Sequence, residues 1–410
     1  MKQRVVLVLL TLVLATAPRA TPVYRATGSI EGAALAYLPG SEIPIHVDGF
    51  NMPYGLFSGG GGSITGGRLR VAGTSSQSTV IAAGTYGLAV HTFEVAPTPD
   101  PHRAFIAVAS YDDGIILHEA SPPFRALSAL GIGGAPGDVA IGTDGTLAAI
   151  ATDGDSATVA TLDPWGVRRY SGVPLGDELA FDTGTGALFV TDRDVAGAGA
   201  LTRIAADGRI AQRVLGLTAE GLAVDPGRER VYVANVNDGT VSIVDAVSMV
   251  ELRRFHAVDR VFSLALSRDG SRLYAVSNES LSSPFAAAGS VVAFDVAGSG
   301  SPRLVARSGR LQFPIGIALD EAHDRLYVTD EDTDSVDVLD ARTLRDAHAP
   351  LRTCTTPWQP TLERGLLYVP CARSDEIDVF RTTTLERVAG APFATGGYPL
   401  AVAVWHPRAS

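Results

Sequence analysis

A three-part motif recurs along the chain, and it constrains the fold more than any other feature. One copy reads Glu220-Gly-Leu-Ala-Val-Asp225, then Arg230-Val-Tyr-Val-Ala-Asn235, then Thr240-Val-Ser-Ile-Val-Asp245. The same three segments return between 315 and 340, and a third copy lies between 263 and 295. Weaker copies start near Leu88, Val139, Leu179, Pro357 and Pro399.

The copies align on a column of small residues, which sets the repeat length. The usual interval is about 42 residues, the length of a four-stranded propeller blade. A second column, apolar and usually aromatic, follows on the next segment and is suited to filling the gap between neighbouring blades. The small column is Ala89, Ala140, Ala180, Ala223, Ala265, Ala318, Thr361 and Ala403. The second column is Ala149, Phe189, Tyr232, Tyr274, Tyr327 and Tyr368.

Every repeat has the pattern of strands. Apolar residues alternate with small or polar ones, and Gly/Asp turns such as Thr143-Asp-Gly145 interrupt them. No segment keeps a helical apolar period for three turns. The sequence therefore predicts an all-β fold, a single β-propeller of four-stranded blades, with eight blades favoured and seven or nine left open. An open solenoid is the alternative to a ring.

The N-terminus predicts export. Lys2 and Arg4 precede an apolar run from Val5 to Ala17, which is too short to span a bilayer and suits a secretory signal peptide. We assign residues 1–20 to the signal and 21–410 to one propeller domain in the periplasm or outside the cell. Residues 53–82 are either a degraded blade or a decoration.

The two chain ends predict how the ring closes. Tyr398–Trp405 has the pattern of a first strand without a blade after it. Val23–Thr27 and Ala33–Tyr37 resemble the missing second and third strands. Pairing the ends within one blade would remove the exposed sheet edges.

The charge of the chain limits its partners. A formal net charge of -11 argues against general nucleic-acid binding and against anionic membranes. After signal cleavage no stable membrane insertion is expected. We expect a monomer that binds an unknown protein or small-molecule ligand.

The two cysteines predict a disulfide. Cys354 precedes the first strand of its repeat and Cys371 ends the second, with a turn near Glu363 between them. Both thiols should lie at the same end of one hairpin, within bridging distance. Export to an oxidising compartment favours the bond over a free thiol pair.

Acidic and amide residues recur where the second strand of each repeat ends. These turns should converge on one face of a ring, where they would form an acidic rim. Asp330, Asp332 and Asp334 have the spacing of a calcium loop, but Ser335 and Ala341 replace the glycine and glutamate of an EF-hand. Ordinary turn chemistry on a solvated face is the alternative. The candidate ligand-binding residues are Asp153, Asp192, Asn235, Asn278, Asp330 and Asp332.

No catalytic motif stands out. The sequence has no Gly-x-Ser-x-Gly elbow, and the eight histidines lack metal-ligand spacing. The carboxylates are too numerous and too evenly distributed to select an acid–base pair. No cofactor is expected, and calcium is the one ion left open.

Tyr327-Val-Thr-Asp330 and Tyr232-Val-Ala-Asn235, each followed by a Ser/Thr-Val-x-Val/Ile-x-Asp strand, resemble the YVTN-type β-propeller repeat. The chain looks like a secreted YVTN-family or lactonase-like propeller. The resemblance implies a ring of blades, usually seven, in secreted or cell-surface proteins. It does not transfer an activity, because the fold hosts enzymes, binding modules and scaffolds.

Two functions remain after these arguments. The first is an exported, non-catalytic propeller that binds a ligand or protein through its acidic loop face. The alternative is a lactonase- or lyase-like enzyme with a calcium-assisted site at the channel mouth. Gluconolactonase-type propellers place carboxylate and amide ligands there, and Asp192, Asn235 and Asp330 would be the local analogues.

Overall fold

The computed structural model describes residues 35–45, 47, 54–58, 61–73, 76–84, 87–153, 156–163, 166–173, 176–195, 198–278 and 289–407. The predicted signal peptide and the predicted strand at 23–27 lie outside these residues. Contacts divide the chain into two compact units, residues 1–98 and residues 99–410. We call them the N-terminal unit and the ring unit. The sequence predicts one domain over 21–410.

The N-terminal unit contains two three-stranded sheets, ordered β1-β4-β3 and β2-β5-β6. Burial alternates along β4, because Leu69 and Val71 are buried whereas Arg70 between them is exposed. One face of its sheet therefore faces the core of this unit. Residues 53–82 therefore form no four-stranded blade in their described part. The strands are β1 (Glu42–Pro44), β2 (Tyr54–Ser58), β3 (Gly62–Thr65), β4 (Arg68–Val71), β5 (Gln77–Gly84) and β6 (Gly87–Glu94).

The ring unit contains seven four-stranded antiparallel sheets in its described residues, each of which is one blade. The bounds are β7 (Phe105–Ser110), β8 (Gly114–Glu119) and β9 (Ala126–Leu130) in blade 1; β10 (Ala135–Ile141), β11 (Leu147–Asp153), β12 (Ser156–Asp163) and β13 (Gly166–Val173) in blade 2; β14 (Gly176–Phe181), β15 (Leu188–Val195), β16 (Ala198–Ile204) and β17 (Ile210–Val214) in blade 3; β18 (Ala219–Asp225), β19 (Arg230–Asn235), β20 (Thr240–Asp245) and β21 (Glu251–His256) in blade 4; β22 (Val261–Leu266), β23 (Arg272–Ser277), β24 (Ser290–Asp295) and β25 (Arg303–Arg307) in blade 5; β26 (Pro314–Asp320), β27 (Arg325–Asp330), β28 (Ser335–Asp340) and β29 (Asp346–Arg352) in blade 6; β30 (Thr361–Glu363), β31 (Leu366–Cys371), β32 (Glu376–Arg381) and β33 (Phe393–Ala394) in blade 7; and β34 (Pro399–Trp405), which completes blade 1. A single 3₁₀ turn, Val236–Asp238, follows β19 in the described chain.

The ring closes through a different strand pair from the one predicted. β34 pairs with β7, with Trp405 opposite Phe105 and Val402 opposite Val108. The first strands of successive blades contact one another in the order β34, β10, β14, β18, β22, β26, β30 and back to β34. The propeller prediction is confirmed, whereas closure by residues 22–37 is wrong. Every residue of β7 is buried, which suits it to an inner position in a sheet.

The predicted count of eight blades is also corrected to seven. The weak copy near Leu88 belongs to β6, which pairs with β5 in the N-terminal unit. Alternating apolar residues give a short strand the same appearance in either unit, so the pattern alone could not separate them.

The two aligned columns explain the packing between blades. In blades 3 to 7 the small residue lies directly opposite the aromatic one, as Ala223 does to Tyr232 and Ala318 to Tyr327. Both tyrosines are fully buried, and Tyr327 packs with Leu367 of the next blade. Burying an aromatic side chain of this size contributes about 2–3 kcal/mol. The hydrophobic core of the ring unit therefore lies between blades.

The predicted disulfide is present. Cys354 and Cys371 are bonded, with their Cα atoms 5.6 Å apart. The bond joins the segment before β30 to the end of β31, as the hairpin argument required. Within the described residues, no helix is long and apolar enough to cross a membrane.

Candidate functional site

The structure places the six predicted ligand-binding residues where second strands end, and none of them lines the depression described below. Asp153 and Asp332 are exposed, whereas Asp192, Asn235, Asn278 and Asp330 are buried within their own blades. Register shows why, because Asp192 pairs with Gly176, Asn235 with Ala219 and Asp330 with Pro314 at the start of the first strand. They lie on the face of the ring where first strands begin, but on the second strand of each blade, one strand farther from the axis.

The contacts of these side chains are structural. Asn235 Oδ1 accepts a hydrogen bond from the Gly216 N–H at 3.1 Å. Asp330 Oδ2 accepts from the N–H groups of Gln312 and Phe313 at 2.8 and 3.2 Å. Each therefore fixes the loop that enters its blade, and such caps satisfy backbone donors that burial would otherwise leave unpaired.

This arrangement does not fit the calcium site proposed from the sequence. The oxygens of Asn235 and Asp330 that a cation would need already accept backbone hydrogen bonds in separate blades. No group of three or more His, Cys, Asp or Glu side chains in the described chain is arranged to hold a metal ion.

The residues that do converge begin the first strands. They surround an open depression of about 80 Å³ at the mouth of the ring. That volume is below the roughly 300–1,000 Å³ usual for small-molecule sites. Its lining is Gly137, Asp138, Asp177, Glu178, Arg193, Glu220, Gly221, Phe262, Ser263, Trp358, Gln359, Leu400 and Ala401.

A sequence signal for these residues was present but was not used. All except Arg193 occupy the second or third position before the column of small residues. In three successive repeats these two positions contain acidic side chains. The even overall distribution of carboxylates hid this local concentration.

Asp138 is a buried carboxylate of the depression. Its Oδ1 accepts a hydrogen bond from the Val139 N–H, and its Oδ2 accepts one from the Leu179 N–H of blade 3, both at 2.8 Å. Burial raises the pKa of Asp138 to about 7, and the nearby Asp177 charge adds to the rise, whereas the two N–H donors oppose it. Asp138 therefore changes charge close to neutral pH.

Glu178 occupies the equivalent position in the next blade. Its Oε2 accepts from the Leu222 N–H at 3.0 Å, and its Oε1 accepts from Gln359 Nε2 at 3.1 Å. Burial raises the pKa of Glu178 well above its ordinary value, and the charges of Asp138 and Asp177 raise it further. Glu178 therefore retains its proton more readily than a surface glutamate.

Arg193 balances the outer part of the acidic group. Its Nε lies 2.7 Å from Asp177 Oδ2 and 2.8 Å from Glu220 Oε1. Burial still raises the pKa of Asp177, although Arg193 opposes the rise. Among the described lining residues Arg193 is the only cationic side chain, against four carboxyl groups.

The opposite side of the depression is uncharged. Phe262 and Trp358 meet edge to face with ring centroids 6.4 Å apart. Gly221 leaves its backbone bare there, since a Cβ at this position would meet the backbone of Phe262 and Ser263. An apolar wall facing carboxyl groups of raised pKa is suited to contacting a small organic molecule and transferring protons to and from it.

Sequence comparisons give no family. No family model matches the chain, and no curated protein matches its sequence. The YVTN assignment is therefore not confirmed.

Solved structures show the fold. A protein from Lactobacillus plantarum superposes with a TM-score of 0.60 at 15% identity, covering 74% of this chain and 99% of its own. A candidate 6-phosphogluconolactonase from Bacteroides fragilis gives 0.59 at 13% identity, with coverages of 75% and 99%. The periplasmic gluconolactonase of Pseudomonas aeruginosa gives 0.57 at 15% identity, with coverages of 74% and 99%. The chain has a lactonase-like propeller fold.

These comparisons correct the first functional prediction. A non-catalytic binding propeller was favoured because no catalytic cluster was visible in the sequence. Two of the similar structures described above are named for lactonases, which favours the enzyme alternative over the non-catalytic binder. The disulfide agrees with the predicted export, since such bonds persist in oxidising compartments.

Proposed function

We propose that this chain is an exported lactonase-like hydrolase that opens a small-molecule lactone at the mouth of the ring. The observation that carries the proposal is the pair of enclosed carboxyl groups, Asp138 and Glu178, on adjacent first strands. Burial raises the pKa of both groups, and carboxyl groups with raised pKa values are suited to proton transfer near neutral pH. The names of the similar lactonases support the same reaction class.

Asp138 is the general base. Its two oxygens accept short backbone hydrogen bonds, which stabilise the carboxylate. The carboxylate takes a proton from a water molecule while the water oxygen attacks the lactone carbonyl carbon. General base catalysis of this kind typically contributes about 10²–10⁴ in rate.

Glu178 is the general acid. Its raised pKa favours the protonated form of the carboxyl group. When the bond between the acyl carbon and the ring oxygen breaks, Glu178 gives this proton to the ring oxygen. The product is an open-chain hydroxy acid, and proton exchange with solvent restores both groups.

The test is lactone opening by purified protein, followed as acid release at constant pH, with γ-butyrolactone, δ-valerolactone and glucono-δ-lactone. Asp138→Asn and Glu178→Gln should each reduce kcat/KM by at least about 100-fold, because each removes one proton-transfer group. Circular dichroism should show that both variants fold.

Asp332→Asn is the control variant with which the activities of Asp138→Asn and Glu178→Gln are compared. It removes an exposed carboxylate in the turn that the sequence predicted as the site, so it should leave the rate nearly unchanged. If Asp332→Asn abolished the activity while Asp138→Asn preserved it, the site would lie on the second strands and the proposal would be wrong.

A further inference from the structure

We propose that Gln359 is a positioning residue that holds the Glu178 carboxyl group and favours its ionised form. The inference rests on the proposed function, in which Glu178 must release a proton in every cycle. Gln359 comes from blade 7, on the far side of the axis from Glu178 in blade 3. Gln359 would act through Glu178 and needs no contact with the substrate.

The geometry forms a bridge across the ring. Gln359 Nε2 lies 3.1 Å from Glu178 Oε1 and 3.0 Å from Ser263 Oγ in blade 5. These contacts join residues 181 and 96 positions apart in the sequence. One amide therefore links three blades, and Ser263 Oγ also lies 3.4 Å from Gln359 Oε1.

The backbone before β30 is built to place this side chain. The first strand of blade 7 starts only at Thr361, and the preceding segment is held instead by the Trp358 N–H, which donates to the Pro370 carbonyl at 2.8 Å. The disulfide between Cys354 and Cys371 ties the same segment to β31. A regular strand would bond to its neighbour through successive residues, whereas this segment is free to turn Gln359 toward the axis.

The neighbouring blade leaves space for Gln359. Gly316 of blade 6 occupies the same repeat position as Gln359. A Cβ at Gly316 would meet the Gln359 side chain, the Gln359 Cα at 2.9 Å and the Pro360 ring. Because glycine has no side chain, it leaves the space that Gln359 and Pro360 occupy.

The electrostatic surroundings explain why such a donor matters. Burial and the charges of Asp138 and Asp177 disfavour ionised Glu178, whereas the Gln359 and Leu222 donors favour it. Without Gln359 the proton would be held more tightly and released more slowly to the leaving oxygen. The titratable and charged groups that line the depression with Glu178 are Asp138 on β10, Asp177 on β14, Arg193 on β15 and Glu220 on β18.

The direct test is the titration of Glu178 in Gln359→Met, followed by ¹³C NMR of protein labelled at the glutamate carboxyl carbon. The Glu178 resonance is identified by its loss in Glu178→Gln. Removing a donor to a charged group should move the Glu178 midpoint upward by about one pH unit. With an active lactone, the alkaline limb of the pH–rate profile should move the same way, and kcat should fall more than KM changes.

Gln212→Met is the matched control, because Gln212 lies on the outer strand β17 and bonds to Thr202. It should leave the Glu178 titration unchanged. Gln359→Asn keeps the amide but shortens the side chain by one methylene, which moves the amide away from Glu178. It should raise the Glu178 midpoint as well, and it replaces the methionine variant if that variant does not fold. Ser263→Ala should produce a smaller shift in the same direction.

An unchanged Glu178 midpoint in Gln359→Met and Gln359→Asn would overturn the inference, even with Glu178→Gln inactive. An upward shift would support it. The same shift in a protein that opens no lactone would refute the proposed function and leave the coupling of Gln359 to Glu178 in place.

Discussion

The two halves of the ring mouth share one scaffold but differ in chemistry. Blades 2 to 4 contribute every carboxyl group of the described lining, namely Asp138, Asp177, Glu178 and Glu220. Blades 5, 7 and 1 contribute uncharged residues at the same two repeat positions, namely Phe262, Ser263, Trp358, Gln359, Leu400 and Ala401.

This contrast separates the residues that determine the fold from those that determine the reaction. The column of small residues and its aromatic partner recur around the ring because every pair of blades must pack. The second and third positions before the small column face the depression, and their residue types vary from blade to blade. Function in such a repeat is therefore expected at positions that break the repeat.

The largest effect expected from this contrast concerns substrate charge. The lining has four carboxyl groups and one guanidinium, whose charge is already balanced by Asp177 and Glu220. A phosphorylated lactone should be repelled. We expect kcat/KM for glucono-δ-lactone to exceed that for its 6-phosphate by about tenfold or more, measured as acid release at low ionic strength.

Salt provides the control for this prediction. If repulsion by the acidic half causes the difference, added salt should reduce it, because ions screen exposed charges. A preference for the phosphorylated lactone would contradict the comparison of the two halves.

The smallest effect is expected for calcium. Asn235 and Asp330, which the sequence offered as ligands, use their side-chain oxygens to hold backbone N–H groups. Millimolar calcium should therefore change the Tm by less than about 1 °C, since a ligand that does not bind the native state does not stabilise it. Thermal melts with calcium and with a chelator measure this. A saturable rise in Tm would show that a cation site forms after all.

Much of the fold was predictable from the sequence, because repetition determines it. The period, the opposed small and aromatic columns and the position of the Cys354–Cys371 bond all followed from spacing. Closure did not follow, because β7 and the strand expected at 23–27 both have apolar alternation. Pattern identifies a strand, but its partner is chosen by the whole fold.

The site was predictable only in part. The sequence indicated the correct face of the ring, since first strands start where second strands end. It could not show that the second-strand carboxylates turn into their own blades. Nor could it show that Gln359 crosses the axis, because that contact depends on an irregular segment, a disulfide and Gly316 in another blade.

The pH dependence of kcat/KM for a lactone tests the central claim most directly. Asp138 must be ionised to act as a base, and its raised pKa of about 7 means that it is protonated in more acidic solution. The account predicts a rate that falls about tenfold per pH unit below neutrality, and an alkaline limb at higher pH where Glu178 loses its proton. A rate that stays constant down to about pH 5, as an aspartate of ordinary acidity would give, would contradict it.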